Sequence, residues 1–99
     1  MSNILLSISI PSNNKTSLLL DALNSIINKT KNNKKIEINV SDNSGNKENE
    51  KIIKKKFKNV NYYKSKYLTL DSNINNAVNI SKGKYVWIFG DDDLIHCNV

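Results

Sequence analysis

The chain has 99 residues, a length that fits one compact domain over residues 1–99. Its apolar residues make up 38% of the composition and come in organised runs, which argues against wholesale disorder. The longest run, residues 4–10, is far shorter than the roughly 20 residues of a membrane-spanning helix, and it lacks the basic flank of a signal peptide. The single cysteine, Cys97, excludes an internal disulfide. We therefore expect a cytoplasmic domain without a transmembrane segment.

The net charge of +6 comes with 15 lysines and no arginine. Arginine is the residue that grips phosphate and guanine edges bidentately, so its absence argues against a nucleic-acid partner. Lysine is enriched together with asparagine and isoleucine, a combination typical of an A/T-rich genome. The lysines leave open a peripheral position at the inner face of the membrane.

Strand and helix patterns alternate along the whole chain. In order, they predict a strand at residues 4–10, a helix at 15–29, a strand at 36–41, a helix at 47–58, a strand at 60–64, a helix at 71–82 and a strand at 85–89. Pro11 is expected to end the first strand, and Gly83 the last helix. This alternation predicts an α/β fold, a Rossmann-like three-layer αβα arrangement around a parallel four-stranded sheet.

Each predicted helix has one stripe of residues that should face the sheet. The inward residues are Leu19, Leu23, Ile26 and Ile27 in the first helix, Ile52, Ile53 and Phe57 in the second, and Ile74, Ala77, Val78 and Ser81 in the third. The densest run of lysines falls on the second helix, where it forms a solvated face.

Three of the six aspartates, Asp91, Asp92 and Asp93, directly follow the most apolar strand. Open parallel sheets bind ligands beyond the carboxyl ends of their strands, so this position favours a functional role. Adjacent carboxylates repel one another, and hard oxygen ligands of this kind suit Mg²⁺ or Mn²⁺. The alternative is a solvated acidic turn in which one aspartate caps a following helix.

Two further segments lie at predicted strand ends. Asp42 follows the second strand, where it either closes an Asx turn or accepts a hydrogen bond from a nucleobase or ribose. Ser12 and Asn14 follow the first strand, at the same ligand-binding edge, and the plain alternative for them is the N-cap of the first helix.

Taken together, these motifs resemble the N-terminal, nucleotide-sugar-binding half of the family 2 glycosyltransferases, which have the GT-A fold. SISIPSNNK resembles the family's opening strand and loop, and IEINVSDNS resembles its second strand with a nucleotide-contacting aspartate. LDSNINNAVNISKGKYVWIFGDDD resembles the helix, glycine and aromatic strand that lead into the family's D-X-D-type motif. The resemblance covers residues 4–94.

The resemblance implies an enzyme that transfers a sugar from a nucleotide-diphosphate donor, here a UDP-sugar, to a glycan or lipid-linked acceptor with Mn²⁺ or Mg²⁺. The nucleotide-binding residues implied are Pro11, Ser12, Asn14, Asp42 and Asp91, and the metal ligands implied are Asp92, Asp91 and Asp93. Lys64 or Lys66 would assist the donor phosphates or the base. A bound metal would neutralise the charge that develops on the leaving diphosphate.

The sequence departs from the family pattern at three places. Asn13 stands where an aromatic residue often stacks on the base, and Gly90 stands where the first acid of a longer motif would fall. The chain ends at Val99, whereas the family continues into an acceptor site and a catalytic base. We therefore expect a truncated enzyme with reduced or no transfer activity. The alternative is a non-catalytic nucleotide-binding or interaction module that self-associates through the open edge of the strand from Tyr85 to Phe89.

Overall fold

Four strands and three helices alternate in a computed structural model that describes residues 3–13, 16–30, 33–45, 47–64 and 69–90. The elements are β1 (Leu6–Ser12), α1 (Thr16–Thr30), β2 (Ile36–Asp42), α2 (Lys47–Lys56), β3 (Val60–Lys64), α3 (Leu70–Asn79) and β4 (Tyr85–Ile88). Every predicted element is present, and each observed end lies within three residues of its predicted place. No helix within these ranges is long and apolar enough to cross a membrane.

The strands form one parallel sheet in the order β3-β2-β1-β4. The predicted Rossmann-like α/β fold with a parallel four-stranded sheet is thereby confirmed. Because the strands are parallel, they all begin at one edge of the sheet, the amino edge, and all end at the other, the carboxyl edge. The two central strands, β1 and β2, stay paired over their full length, from Leu6 opposite Ile36 to Ser12 opposite Asp42.

The sequence predicted that the first strand would end at Pro11, but in the structure β1 continues to Ser12. The carbonyl of Ser9 accepts a hydrogen bond from Phe89 N (3.0 Å) on the β4 side, whereas the carbonyl of Ser12 accepts one from Asn43 N (2.8 Å) on the β2 side. Since alternate residues of a strand direct their backbone groups to opposite neighbours, Pro11 turns its missing N–H toward the β4 side. Because it faces the β4 side, Pro11 removes no hydrogen bond from the β1–β2 ladder. It also lies beyond Ser9, the last residue of β1 that pairs with β4.

One face of the sheet is apolar and packs against α1 and α2. The buried core consists of Ile8, Ile10, Ile38, Val40 and Val60 from the strands, Phe89 just after β4, Leu19, Ala22, Leu23 and Ile26 from α1, and Ile53 from α2. The predicted inward stripe of α1 is therefore correct, with Ile27 only partly buried. On α2 the single residue Ile53 carries the contact, while Phe57 packs at the margin of the core.

The other face of the sheet is polar and is covered by α3. It buries Ser7, Ser9, Glu37, Asn39 and Ser41, which alternate with the apolar residues along β1 and β2. Burying such groups costs free energy unless each finds a hydrogen-bond partner. Within the described residues, every buried side-chain nitrogen and oxygen has one. The sheet therefore has two differently built sides.

The inward face of α3 is rotated relative to the prediction. Asn73 and Ala77 are buried, whereas Val78, predicted to face inward, is 43% exposed. The reason is the polarity of the surface below, because an asparagine can hydrogen-bond to the serines of the sheet and a valine cannot.

The end of α3 also differs from the prediction, since the helix ends at Asn79 rather than at residue 82. The next residues hydrogen-bond to the strands: Ser81 Oγ lies 2.6 Å from Ser9 Oγ, and Lys82 N donates to Glu37 Oε2 (2.5 Å). A continued helix would need the Lys82 N–H for its own ladder. The chain therefore leaves the helix before Gly83, which is not its C-terminal stop.

The strand β4 lies at the edge of the sheet and exposes large apolar side chains. Tyr85 is 59% exposed and Trp87 is 43% exposed, and the Trp87 ring contacts Phe89 edge-on with centroids 5.3 Å apart. Within the described residues, the outer side of β4 pairs with no strand. The association of two copies through this edge stays a prediction.

Gly83 passes so close to β1 that no side chain fits there. A Cβ at this position would lie 2.7 Å from Ser7 N and 2.9 Å from the carbonyl carbon of Leu6, both backbone atoms. We expect Gly83→Ala to lower the free energy of unfolding by about 1–3 kcal/mol, because the clash must displace the linker before β4. Urea unfolding measures it. Gly45→Asn is the control, since Gly45 has φ +72° but open space around it. Equal stability of Gly83→Ala and the parent chain would contradict the argument.

The stability of the segment between α3 and β4 depends on pH through Glu37, whose carboxylate accepts a hydrogen bond from Lys82 N. Burial raises the pKa of its carboxyl group, but hydrogen bonds from Ser7, Lys82 N and Asn39, with the Lys82 charge, more than offset this and hold the pKa below its ordinary value of 4.5. Because the folded chain then binds fewer protons than the unfolded chain, this stabilisation is present above pH 4.5 and is lost as the pH falls below it.

We expect the urea concentration at the unfolding midpoint to decrease as the pH is lowered from 5 to 3. Glu37→Gln should show less of this pH dependence, and its free energy of unfolding at pH 7 should be lower by about 1–3 kcal/mol. Glu48→Gln, on the exposed side of α2, serves as the control. An unchanged acid dependence in Glu37→Gln would show that this carboxylate is not the group responsible.

Candidate functional site

The ends of three neighbouring strands meet at the carboxyl edge of the sheet. Ser12 at the end of β1 lies opposite Asp42 at the end of β2, and Asp42 lies opposite Lys64 at the end of β3. The hydrogen bond from Asn43 N to Ser12 O extends this pairing into the loop after β2. Two segments that the sequence marked separately, around Ser12 and around Asp42, thus form one surface.

Asp42 is 1% exposed, and its carboxylate joins three parts of the fold. Oδ1 accepts a hydrogen bond from Ser44 N (2.9 Å), which closes an Asx turn. Oδ2 accepts from Asn49 Nδ2 (3.2 Å) on α2 and from the Tyr62 hydroxyl (2.6 Å) on β3. The carboxylate is therefore held in one orientation by the strand, the turn and the helix around it.

The phenol of Tyr62 is the closest of these partners. Burial raises its pKa most strongly, and the hydrogen bond to Asp42 together with the negative charges of Asp42 and Glu50 raises it further. The hydroxyl therefore remains protonated well above neutral pH and acts as a donor to Asp42.

The backbone of this edge is supported from the polar face by α3. Asn73 Nδ2 donates to Ser12 O (3.3 Å), and Asn73 Oδ1 accepts from Ser41 Oγ (2.7 Å). Asn76 Nδ2 donates to the same serine oxygen (2.8 Å). One turn of α3 thus connects the last residue of β1 to the penultimate residue of β2.

The structure describes only some of the predicted site residues. Pro11 is half-buried and Ser12 buried, both within β1, and Lys64 is exposed at the end of β3. Asn14, Lys66, Asp91, Asp92 and Asp93 lie outside the described residues. Within the ranges that are described, no three His, Cys, Asp or Glu side chains cluster as metal ligands, so the metal site stays a prediction.

Four residues of this edge were not predicted from the sequence: Asn49, Tyr62, Asn73 and Asn76. The sequence contained a signal that Asn73 and Asn76 have a specific role. Asparagine is unfavourable in helix interiors, and here it recurs three residues apart, on one face of α3. Nothing local to the sequence indicates that Asn49 and Tyr62 meet Asp42, because that contact depends on how α2 and β3 pack.

Comparison with known families and sequences identifies proteins that are similar to this chain. Residues 7–98 match the family model described as glycosyl transferase family 2. Over 97 residues the chain is 37% identical to the abequosyltransferase RfbV of Salmonella typhimurium, covering 93% of this chain and 29% of that protein.

Solved structures show the same fold. The structure of S. aureus TarS, residues 1–349, matches with a TM-score of 0.75 and 21% identity, covering 92% of this chain and 28% of that chain. The complex of the same TarS fragment with UDP matches with a TM-score of 0.72 and 20% identity, covering 90% and 28%. The chain therefore spans less than a third of the length of each of these proteins.

Removing the Tyr62 hydroxyl isolates its contact with Asp42. We expect Tyr62→Phe to lower the free energy of unfolding by about 1.5 kcal/mol, since the lost hydrogen bond is to a charged, buried acceptor. Tyr63→Phe, from the opposite face of the same strand, should change it by less than about 0.5 kcal/mol. Urea unfolding of both variants makes the comparison, and equal losses would show that the phenol–carboxylate contact has no special weight.

Proposed function

This chain belongs to glycosyltransferase family 2, and we propose on that basis that it binds the nucleotide-diphosphate sugar donor of a sugar transfer, with a UDP-sugar as the donor. The TarS fragment solved with UDP supports the choice of nucleotide. Because the chain spans 29% of the abequosyltransferase and 28% of the TarS fragment, we propose donor binding with reduced or no transfer by these 99 residues alone.

The observation that carries this proposal is the convergence of polar residues at the carboxyl edge. Ser12 and Asp42 lie side by side at the ends of the two central strands. β4 is the neighbour of β1 on its other side, and the backbone bond from Phe89 N to Ser9 O continues that pairing toward Gly90. Ligands of open parallel sheets bind at this edge, where the loops after several strands meet.

The nucleoside is proposed to lie over the ends of β1 and β2, bordered by Pro11, Ser12 and Asn14, with Asp42 accepting from the base. The Asp42 oxygens already accept from Ser44 N, Asn49 and Tyr62. A base N–H would therefore compete with these donors for the Asp42 oxygens, and a donor that it displaced would have to hydrogen-bond elsewhere. The fixed orientation of Asp42 also reduces the ordering that binding requires.

The metal is proposed to bind at Asp91 and Asp92, with Asp93 as a substitute ligand and Asp91 also near the ribose. Asp91 is joined directly to Gly90, and β4 is separated from β2 by β1 alone. At the usual strand spacing, two strands cover about 10 Å, so this position and Asp42 could contact different parts of one donor. Carboxylate oxygens fit Mn²⁺ or Mg²⁺, which would act as a Lewis acid on the donor diphosphate.

Calorimetric titration with UDP tests donor and metal binding separately. With Mn²⁺ present we expect Asp92→Asn to weaken UDP binding about tenfold or more, and in excess chelator we expect the variant and the parent chain to bind equally weakly. Asp21→Asn, an exposed aspartate of α1, is the matched control. UDP binding that ignores both Mn²⁺ and Asp92→Asn would overturn the metal assignment. A folded chain that binds no UDP at millimolar concentration would overturn the donor-site proposal.

A further inference from the structure

A concave site lies at the amino edge of the sheet, opposite the edge of Ser12 and Asp42. It is a cleft of about 620 Å³ between the C-terminal parts of α1 and α2 and the first residues of β2 and β3. This volume falls within the range of small-ligand sites, roughly 300–1,000 Å³. Strand β2 has seven residues, so the cleft lies about 20 Å from Asp42 at the other end of the same strand. It is therefore separate from the proposed donor site.

The floor of the cleft is apolar. It is lined by Ile36 and Ile38 of β2, Val60 of β3, Ile27 of α1 and Phe57 just after α2. Ile27, Ile36 and Phe57 pack against the core while remaining partly exposed. Their uncovered surface faces a concavity rather than open solvent, and an apolar group placed there would remove it from water.

The rim of the cleft is basic. Lys34, Lys56 and Lys58 line it, and no acidic residue is among its described lining. Both helices also end here, and their carbonyl termini each carry about half a negative charge. Three full positive charges exceed these two partial negative ones, so the mouth of the cleft attracts anions.

We propose that this cleft binds a single-chain amphiphilic anion, an acyl chain on the apolar floor with a phosphate group at the three lysines. The lining of the cleft matches both parts, because a free anion would leave the apolar floor exposed to water and a neutral hydrocarbon would not contact the lysines with a charge. A flat bilayer surface fits less well, since the site is a concavity between two helices and the edge of a sheet. The proposal is independent of the donor site.

Dodecyl phosphate, kept below its micelle concentration, is the probe. Titration of the ¹⁵N-labelled chain should shift the amide signals of Thr30, Asn33 and Asn59, which line the cleft, and leave those of Ser12 and Asp42 unchanged. Dodecanol and inorganic phosphate, the two halves of the probe, should each bind at least fivefold more weakly. Equal binding of dodecanol, or shifts confined to the exposed residues of β4, would overturn the proposal.

Matched variants separate the site from general charge. Lys34→Gln with Lys58→Gln should weaken dodecyl phosphate binding about fivefold, whereas Lys51→Gln with Lys84→Gln, which changes the net charge equally outside the cleft, should not. Asn24→Trp, at an exposed lining position of α1, should abolish binding by filling the mouth while retaining all lysines. Equal losses in the two lysine pairs, or binding only to anionic phospholipid vesicles and not to the free amphiphile, would contradict a built site.

Discussion

The fold depends on one constraint: the face of the sheet beneath α3 is buried and polar, so its hydrogen bonds must be completed by what covers it. β1 and β2 place serine, glutamate and asparagine there at every second residue. Leaving any of these groups without a partner would cost about 1–3 kcal/mol. An ordinary apolar helix could not serve as the cover. Asn73, Asn76 and Ser81 meet this requirement from α3 and its linker, which fixes the rotation of the helix and its end.

The two faces of the sheet consequently contribute different things. The isoleucine and leucine core beneath α1 and α2 supplies the non-directional hydrophobic stabilisation. The hydrogen bonds of the polar face are directional, and they determine where the strand ends lie relative to one another. Asn73, which holds both Ser12 O and Ser41 Oγ, lies within this face and also beneath the carboxyl edge. The network that satisfies the buried sheet is thus the same one that positions the proposed donor site.

The sequence predicted the order of the elements, the parallel sheet and the apolar face of α1, because hydrophobic periodicity reports directly on those features. The prediction from sequence was wrong where the chemistry of the contacting surface decides which residues of an element are buried and where the element ends. Val78 was placed inward because it is apolar, although the surface beneath α3 is polar. The end of α3 was assigned to Gly83, although this residue is needed for close approach to Ser7. For the site, the sequence identified Ser12 and Asp42 but not Asn49 or Tyr62, since contacts between distant elements leave no local pattern.

The parallel sheet also separates the two candidate sites by construction. The four strands end at one edge, and the opposite edge receives the C-terminal parts of α1 and α2. Lysines are favourable at helix C-termini, and Lys56, in the last turn of α2, lines the cleft together with Lys34 and Lys58, which follow the ends of α1 and α2. Asp42 lies at the carboxyl edge, whereas the charged residues in the described lining of the amino-edge cleft are all basic. A nucleotide with its metal and an amphiphilic anion would therefore be sorted to opposite ends of one small domain by the direction of its strands.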